Sequence, residues 1–363
     1  MAVFGDMGYL GSDERPMIIT IDGLKKHWSA VPTRRRLEML KDAGEIDMIW
    51  HVGDIGYIDD AFAHDPMHFV YEEAYNGYLN WLQNLTATMP YMVSPGNHES
   101  ECHIAQCLIH TDKYGHKLNN FTAFNKRWHM PHATSGGALN MWYSFNVGPV
   151  HFVSLNTETD FPSAEERSHG DASSFPAGSF GRKGEYLQWL ENDLKAAAAN
   201  RQNRPWIIAG GHRPCCNDIP EAAALFEKYG VALYLAGHTH SYARSAPTFA
   251  NMRVPGGMPA VPRHTTFDPA NAATTYVVAG GAGCDEMTWV NKSHHSAQDC
   301  SAEGICLHRR PGAALRSGDV RHVVTSSRLI GGVLTVHNAT TLGYRAIAST
   351  DGETIDYFTI TQR

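Results

Sequence analysis

Residues 46–57 read Ile46-Asp47-Met48-Ile49-Trp50-His51-Val52-Gly53-Asp54-Ile55-Gly56-Tyr57. Ile46 to Val52 has a buried-strand pattern, apolar apart from Asp47 and His51. It stops at a glycine followed by an acid. Glycine permits a sharp turn and lets the backbone approach a neighbour or a bound ion closely. The same design recurs on both sides of this stretch. Ala2-Val3-Phe4 runs into Gly5-Asp6, and Tyr91-Met92-Val93 into Ser94-Pro95-Gly96-Asn97. Trp206 to Ala209 delivers Gly210-Gly211-His212, and Ala232 to Leu235 delivers Gly237-His238-Thr239-His240. One Gly-Asp is an ordinary turn. Five strand ends carrying Asp, Asp, Asn, His and His are not explained that way. Ligands of open α/β sheets bind at the carboxyl ends of strands, so these scattered segments are expected to bring a metal-type donor set to one edge of a sheet.

Helical patterns fill the intervals. One runs from 32 to 42 with Pro32 in its first turn, one from 66 to 85, and one from 221 to 229. Another covers 184–199, with Leu187, Leu190 and Leu194 at helical spacing. Trp142 to Asn146 and His151 to Leu155 flank Val147-Gly148-Pro149 as a hairpin. Alternating β and α units predict an α/β fold. The last third changes character: strands are expected at 275–279, 332–337, 344–348 and 354–360, and 285–328, rich in Gly, Ser and charge, reads as long irregular loops. The simplest architecture is one domain over residues 1–363, with two packed mixed β-sheets flanked by helices and 275–363 completing the second sheet.

Composition narrows the function. A net charge of −7 over 363 residues argues against a polyanion binder, so no nucleic-acid partner is expected. Arg34-Arg35-Arg36 and His308-Arg309-Arg310 read as solvated faces. No run approaches the roughly 20 apolar residues of a membrane span. Strand residues begin at Ala2, leaving no room for a secretory leader. Either the protein stays in the cell or the chain starts after a removed segment. The cysteines point to the second: Cys102 with Cys107, Cys215 with Cys216, and Cys284, Cys300 and Cys306 could supply disulfides with one thiol left over, and none has CxxC zinc spacing. Sequons at Asn84, Asn120, Asn291 and Asn338 also fit an exported glycoprotein. The expected location is secreted, or a lysosome- or vacuole-like compartment.

The ligand-bearing motifs are Gly5-Asp6-Met7-Gly8, Gly53-Asp54-Ile55-Gly56-Tyr57, Gly96-Asn97-His98-Glu99, Gly211-His212-Arg213-Pro214 and Gly237-His238-Thr239-His240. In this order they resemble the calcineurin-like metallophosphoesterases over nearly the whole chain. Tyr57, three residues after Asp54, is similar to the purple acid phosphatase branch. So are Trp142-Tyr143-Ser144-Phe145 followed by Gly148-Pro149, and Gly280-Gly281-Ala282-Gly283-Cys284. The resemblance implies one metal held by Asp6, Asp54, Tyr57 and His240, and a second held by Asp54, Asn97, His212 and His238, with Asp54 bridging. It implies Fe(III) at the tyrosine site and a divalent ion, Zn, Mn or Fe, at the other. A phenolate is a hard anionic donor, which agrees with ferric iron. The implied reaction is hydrolysis of a small-molecule or protein phosphate monoester by in-line attack of a metal-bound hydroxide. His98 would hydrogen-bond the phosphate and help protonate the leaving alkoxide. Its other reading is a loop-structuring role with Glu99.

Two departures stand out. The loop after His212 is cut short, with no histidine from Cys215 to Pro220. His264, His294 and His295 are the candidates to replace the missing ones. Many longer members of that branch carry a β-sandwich before the catalytic domain, whereas this sequence opens directly on the catalytic strand. Two alternatives follow: a generic dinuclear phosphodiesterase or nucleotidase, which needs the same residues apart from Tyr57, and a weakly active metal-containing binding protein.

Overall fold

The computed structural model describes residues 1–9, 29–59, 68–100, 109–162, 177–214, 220–245, 248–249, 252–253, 264–267, 273–284, 305–307, 322–326 and 330–362. In chain order the strands are β1 Ala2–Phe4, β2 Ile49–Val52, β3 Tyr91–Ser94, β4 Tyr143–Val147, β5 Val150–Ser154 and β6 Trp206–Gly210. They continue with β7 Leu233–Ala236, β8 Tyr242–Ser245, β9 Thr248–Phe249, β10 Met252–Arg253, β11 His264–Phe267 and β12 Thr275–Ala279. The last are β13 Ile305–Leu307, β14 His322–Ser326, β15 Ile330–Val336, β16 Thr341–Ala348 and β17 Thr354–Thr361.

Two mixed sheets result, ordered β11-β17-β16-β15-β1-β2-β3 and β13-β14-β8-β12-β7-β6-β5-β4, with β9 and β10 forming a separate two-stranded sheet. In the first, β1, β2 and β3 are parallel. In the second, β5, β6, β7 and β12 are parallel. Parallel neighbours require crossovers. The helices Val31–Asp42, Tyr71–Trp81, Glu185–Ala199 and Pro220–Tyr229 lie in the β1–β2, β2–β3, β5–β6 and β6–β7 connections respectively. Each parallel group therefore aligns its strand ends, which is what gathers the Gly-ligand motifs.

Strand alternation sorts side chains between two cores. Trp50 and Val52 of β2 join Phe152, Trp206, Ile208 and Leu235 between the sheets. Ile49 of β2 and Ile207 and Ala209 of β6 face the helical layers with Leu37, Leu40, Leu190 and Leu194. The Trp50 and Phe152 rings meet edge-on at 5.8 Å. One buried ion pair also crosses the sandwich: Arg244 of β8 donates from Nε to Asp356 of β17 at 2.5 Å, and Tyr242 donates to the same oxygen at 2.8 Å.

The structure departs from the sequence reading in three places. The expected helix 66–85 is two helices, Tyr71–Trp81 and Gln83–Thr86. At Leu82 the carbonyl accepts from the Leu85 and Thr86 amides and from the Thr86 hydroxyl, and such threonine back-bonding bends helices. The expected loop 285–328 contains β13 and β14. Val323-Val324-Thr325 has strand propensity, but its Gly-, Ser- and charge-rich flanks hid it, and only the free edge of β8 reveals a partner. Finally, the C-terminal strands do not all complete one sheet: β15, β16 and β17 extend the sheet of β1, whereas β12, β13 and β14 belong to the other.

Candidate metal centre

The five strand ends converge as the sequence reading required, though glycine does less of the turning than expected. Among the five glycines that precede the ligands, Gly53 alone is left-handed, at φ +87°. The turns fall on the ligands themselves: Asp6, Asp54, Tyr57 and His238 have φ of 60°, 48°, 50° and 65°. Non-glycine residues held there carry strain, which concentrates at functional sites. The glycines supply room instead. A Cβ on Gly53 would sit 2.5 Å from His212 Nδ1, and one on Gly237 would sit 2.5 Å from Asp6 Oδ2. A Cβ on Gly96 would overlap the Asp54 carboxylate.

Two donor groups share Asp54. In the first, the Tyr57 hydroxyl lies 3.3 Å from Asp6 Oδ1, 3.4 Å from Asp54 Oδ2 and 2.8 Å from His240 Nε2. His240 Nε2 is 3.3 Å from Asp6 Oδ1. In the second, His212 Nε2 is 2.9 Å from Asp54 Oδ2 and 3.0 Å from Asn97 Oδ1. His238 Nδ1 is 3.1 Å from Asn97 Oδ1 and 3.2 Å from His212 Nε2. Donors about 2.1 Å from a common ion at right angles lie about 3 Å apart, so both groups have the spacing of a coordination shell. All seven candidate ligands expected from the sequence are thus brought together.

The electrostatics fit ion binding as well. Burial, then Cys284 and the Asp54 and Asp6 carboxylates, push the Tyr57 hydroxyl far above its ordinary range. It is a neutral phenol that only a strongly polarising ion could deprotonate. Burial lowers His212, but Asp54 overrides it and lifts the group to about 9. Burial likewise opposes His240, which Cys284 and Asp6 raise to about 12. Burial would raise Asp54, yet His212 and His98 hold it below the carboxylate range. Imidazolium protons therefore offset the buried carboxylates, and a cation entering the centre would displace them.

His98 sits beside these groups. Its Nδ1 lies 2.9 Å from Asp59 Oδ2, its ring lies 4.0 Å from that of Tyr57 at a tilt of 36°, and its amide donates to Asp54 Oδ1 at 3.0 Å. The loop-structuring role belongs to Glu99, which accepts from the amides of Asp54, Ile55 and Gly96 at 3.0, 2.8 and 2.8 Å. Burial and the Asp54 charge push the Glu99 carboxyl up to about 8. Sequence reasoning missed Asp59, although it lies two residues beyond Tyr57. It also missed Cys284 as a neighbour of Tyr57 and His240, and the thiol of this buried cysteine is not in a disulfide. His264 is in β11, at the outer edge of the first sheet beside β17. His294, His295 and residues 215–219 lie outside the described residues, as do Cys102, Cys107, Cys215, Cys216 and Cys300.

Comparison with known proteins gives the same picture. Residues 1–242 match the family model for calcineurin-like phosphoesterases. The chain is 29% identical over 347 residues to an acid phosphatase of Aspergillus ficuum, covering 81% of this chain and 53% of that protein. It is 31% identical over 313 residues to human acid phosphatase type 7, covering 79% of this chain and 55% of that protein. The chain thus spans about half the length of these curated relatives. In fold it is similar to a purple acid phosphatase from yellow lupin seeds, with a TM-score of 0.61, 18% identity, and coverage of 99% of this chain and 53% of the lupin chain.

Proposed function

The chain belongs to the calcineurin-like phosphoesterase family, and on that premise we propose that it is a binuclear-metal acid phosphatase acting on phosphate monoesters. The observation that carries this reading is the pair of donor groups sharing Asp54, with the Tyr57 hydroxyl inside one of them. Asp6, Asp54, Tyr57 and His240 would hold Fe(III), because three of the four donors are hard oxygens. Asp54, Asn97, His212 and His238 would hold a divalent ion. Such a pair of cations, when bound, offsets phosphate charge and lowers the pKa of water toward acidic operation.

The protein residues do the rest. Asp54 serves both groups, so it sets their separation. Glu99 fixes the Asp54 and Asn97 loops against each other through three amides. Asp59 orients His98 through Nδ1, and Nε2 would donate a hydrogen bond to the phosphate and then a proton to the leaving alkoxide. Asn84, Asn120 and Asn338 are exposed, which supports an exported glycoprotein. No helix among the described residues is long and apolar enough to cross a membrane.

The test is metal analysis with a visible spectrum, alongside hydrolysis of p-nitrophenyl phosphate and its bis-ester across a pH range. The expected protein is violet from tyrosinate-to-iron charge transfer, contains iron, and prefers the monoester at acidic pH. A metal-replete, colourless protein without iron would sink the ferric assignment. Preference for the diester near neutral pH would replace the phosphatase by a phosphodiesterase, and a metal-replete protein inactive on both would make it a binding protein.

A further inference from the structure

A second cavity, of about 300 Å³, has none of the seven candidate ligands in its lining. That volume is at the lower end of the range for small-molecule sites. It is formed where the helices Thr111–Leu118 and Thr122–Arg127 meet the start of the helix Tyr71–Trp81. Between the first two helices, Asn120 and Phe121 take left-handed φ of 54° and 53°, and this reversal turns the chain back on itself. Lys117 from one helix, with Lys126 and Arg127 from the next, therefore line a single cavity. Phe69, Tyr71 and Leu118 supply an apolar wall.

The charges around this cavity do not cancel. Glu72 is the one acid in the lining, against three cations, which leaves an excess of two positive charges. Lys117 Nζ lies 3.0 Å from Glu72 Oε1, but the two side chains are 39% and 54% exposed, so solvent weakens the pair. Lys126 is exposed and has no ion pair among the described residues. Arg127 donates from Nη1 to the neutral Asn76 Oδ1 at 2.7 Å and lies over the Tyr75 ring at 4.6 Å. Those contacts fix the guanidinium without neutralising it. A carboxylate ligand would offset one unit of charge, whereas a phosphate monoester offsets nearly two, and guanidinium geometry matches its oxygens. The wall decides what the phosphate is attached to. Phe69 stacks on Tyr114 at 4.0 Å, and Tyr71 and Leu118 are buried. Inorganic phosphate gains nothing from such a surface, whereas an aryl or alkyl body removes it from water.

We propose that this cavity is a second binding site, separate from the metal centre, for a small organic phosphate. Lys117, Lys126 and Arg127 hold the phosphate end, and Phe69, Tyr71 and Leu118 hold its apolar body. The site is independent of whether the metal centre hydrolyses phosphate esters. Phenylphosphonate is the probe, because its P–C bond resists hydrolysis. Calorimetry on the metal-loaded protein should read two equivalents per chain, one at the metals and one in the cavity, and chelation of the metals should leave the second. Lys117→Gln combined with Lys126→Gln should weaken this metal-independent binding about 10–100-fold, as for loss of charge-assisted hydrogen bonds. The Tm should hold, because both side chains are at the surface. In metal-loaded protein the same double substitution should remove one of the two equivalents, so the result does not depend on the metal-free form staying folded. Glu72→Gln should strengthen binding about threefold, since the acid no longer competes for Lys117. Inorganic phosphate should bind the cavity at least about tenfold more weakly than phenylphosphonate. A single equivalent that disappears with the metals, or a second equivalent within about threefold of its original affinity in the double variant, would overturn the site. Equal affinity for phosphate and phenylphosphonate would overturn the organic ligand.

Discussion

Among the described residues, two clusters that bury carboxylates are balanced in different ways. Between the sheets, Asp356 accepts from Arg244 at 2.5 and 3.2 Å and from Tyr242 at 2.8 Å. The Arg244 guanidinium also lies over the Phe358 ring at 4.9 Å. Arginine keeps its charge at every relevant pH, so this cluster is permanently balanced from within. At the strand ends, Asp6 and Asp54 face histidines and a phenol instead. Their counter-charge is a set of exchangeable protons. A buried carboxylate with a fixed cation serves the fold, whereas one with a replaceable counter-charge is ready to receive a metal.

Substituting the two carboxylates tests this contrast most directly. Asp54→Asn should strip metal from both groups, and hydrolysis should fall by more than the roughly 100-fold that loss of an outer partner costs. Elemental analysis and turnover with p-nitrophenyl phosphate check it, and activity within tenfold of the original would break the idea of a shared ligand. Asp356→Asn should instead cost about 3–5 kcal/mol of stability, the usual loss when one partner of a buried pair is removed. A urea titration reads that loss. Turnover per metal-loaded molecule should hold steady, and a drop in it would erase the distinction between the clusters.

Asp59→Asn sharpens the contrast at an intermediate scale. Turnover should drop about 10–100-fold, a part of what a general acid contributes. Because the 2.9 Å carboxylate contact favours the protonated imidazole of His98, the alkaline limb of the kcat profile should move to lower pH. An unshifted limb would reduce Asp59 to a packing role. The smallest effect is in pH-dependent stability. His212 is raised to about 9 by Asp54 against the pull of burial. Its contribution is therefore fully present below the ordinary histidine value near 6.5 and is lost as pH rises toward 9. Metal-free protein should lose on the order of a few degrees in Tm across that window, and metal-loaded protein should not. Parallel pH curves for the two forms would show that protons and metal do not compete.

Legibility in the sequence followed distance along the chain. Each strand-Gly-ligand motif is a short contiguous run, so the seven ligands, His98 and the α/β alternation could all be read locally. Asp59 was within reach too, two residues from Tyr57, but a lone acid after a turn carries no signal until His98 is placed against it. Glu158 and Arg213 are 55 positions apart, and Arg244 and Asp356 are 112 apart. No periodicity links such residues. Strand β14 was missed for a similar reason, since its partner β8 lies far upstream and its flanks look like loop.

The sequence alone therefore determined the donor chemistry of this protein: which side chains end which strands, and that glycine must precede them. The tertiary structure decided what those glycines are for, because the forbidden contacts at Gly53 and Gly237 are with ligands from other motifs. It also decided which charges are permanent and which are exchangeable. Counter-charge depends on distances through space, and those exist only once the two sheets have packed.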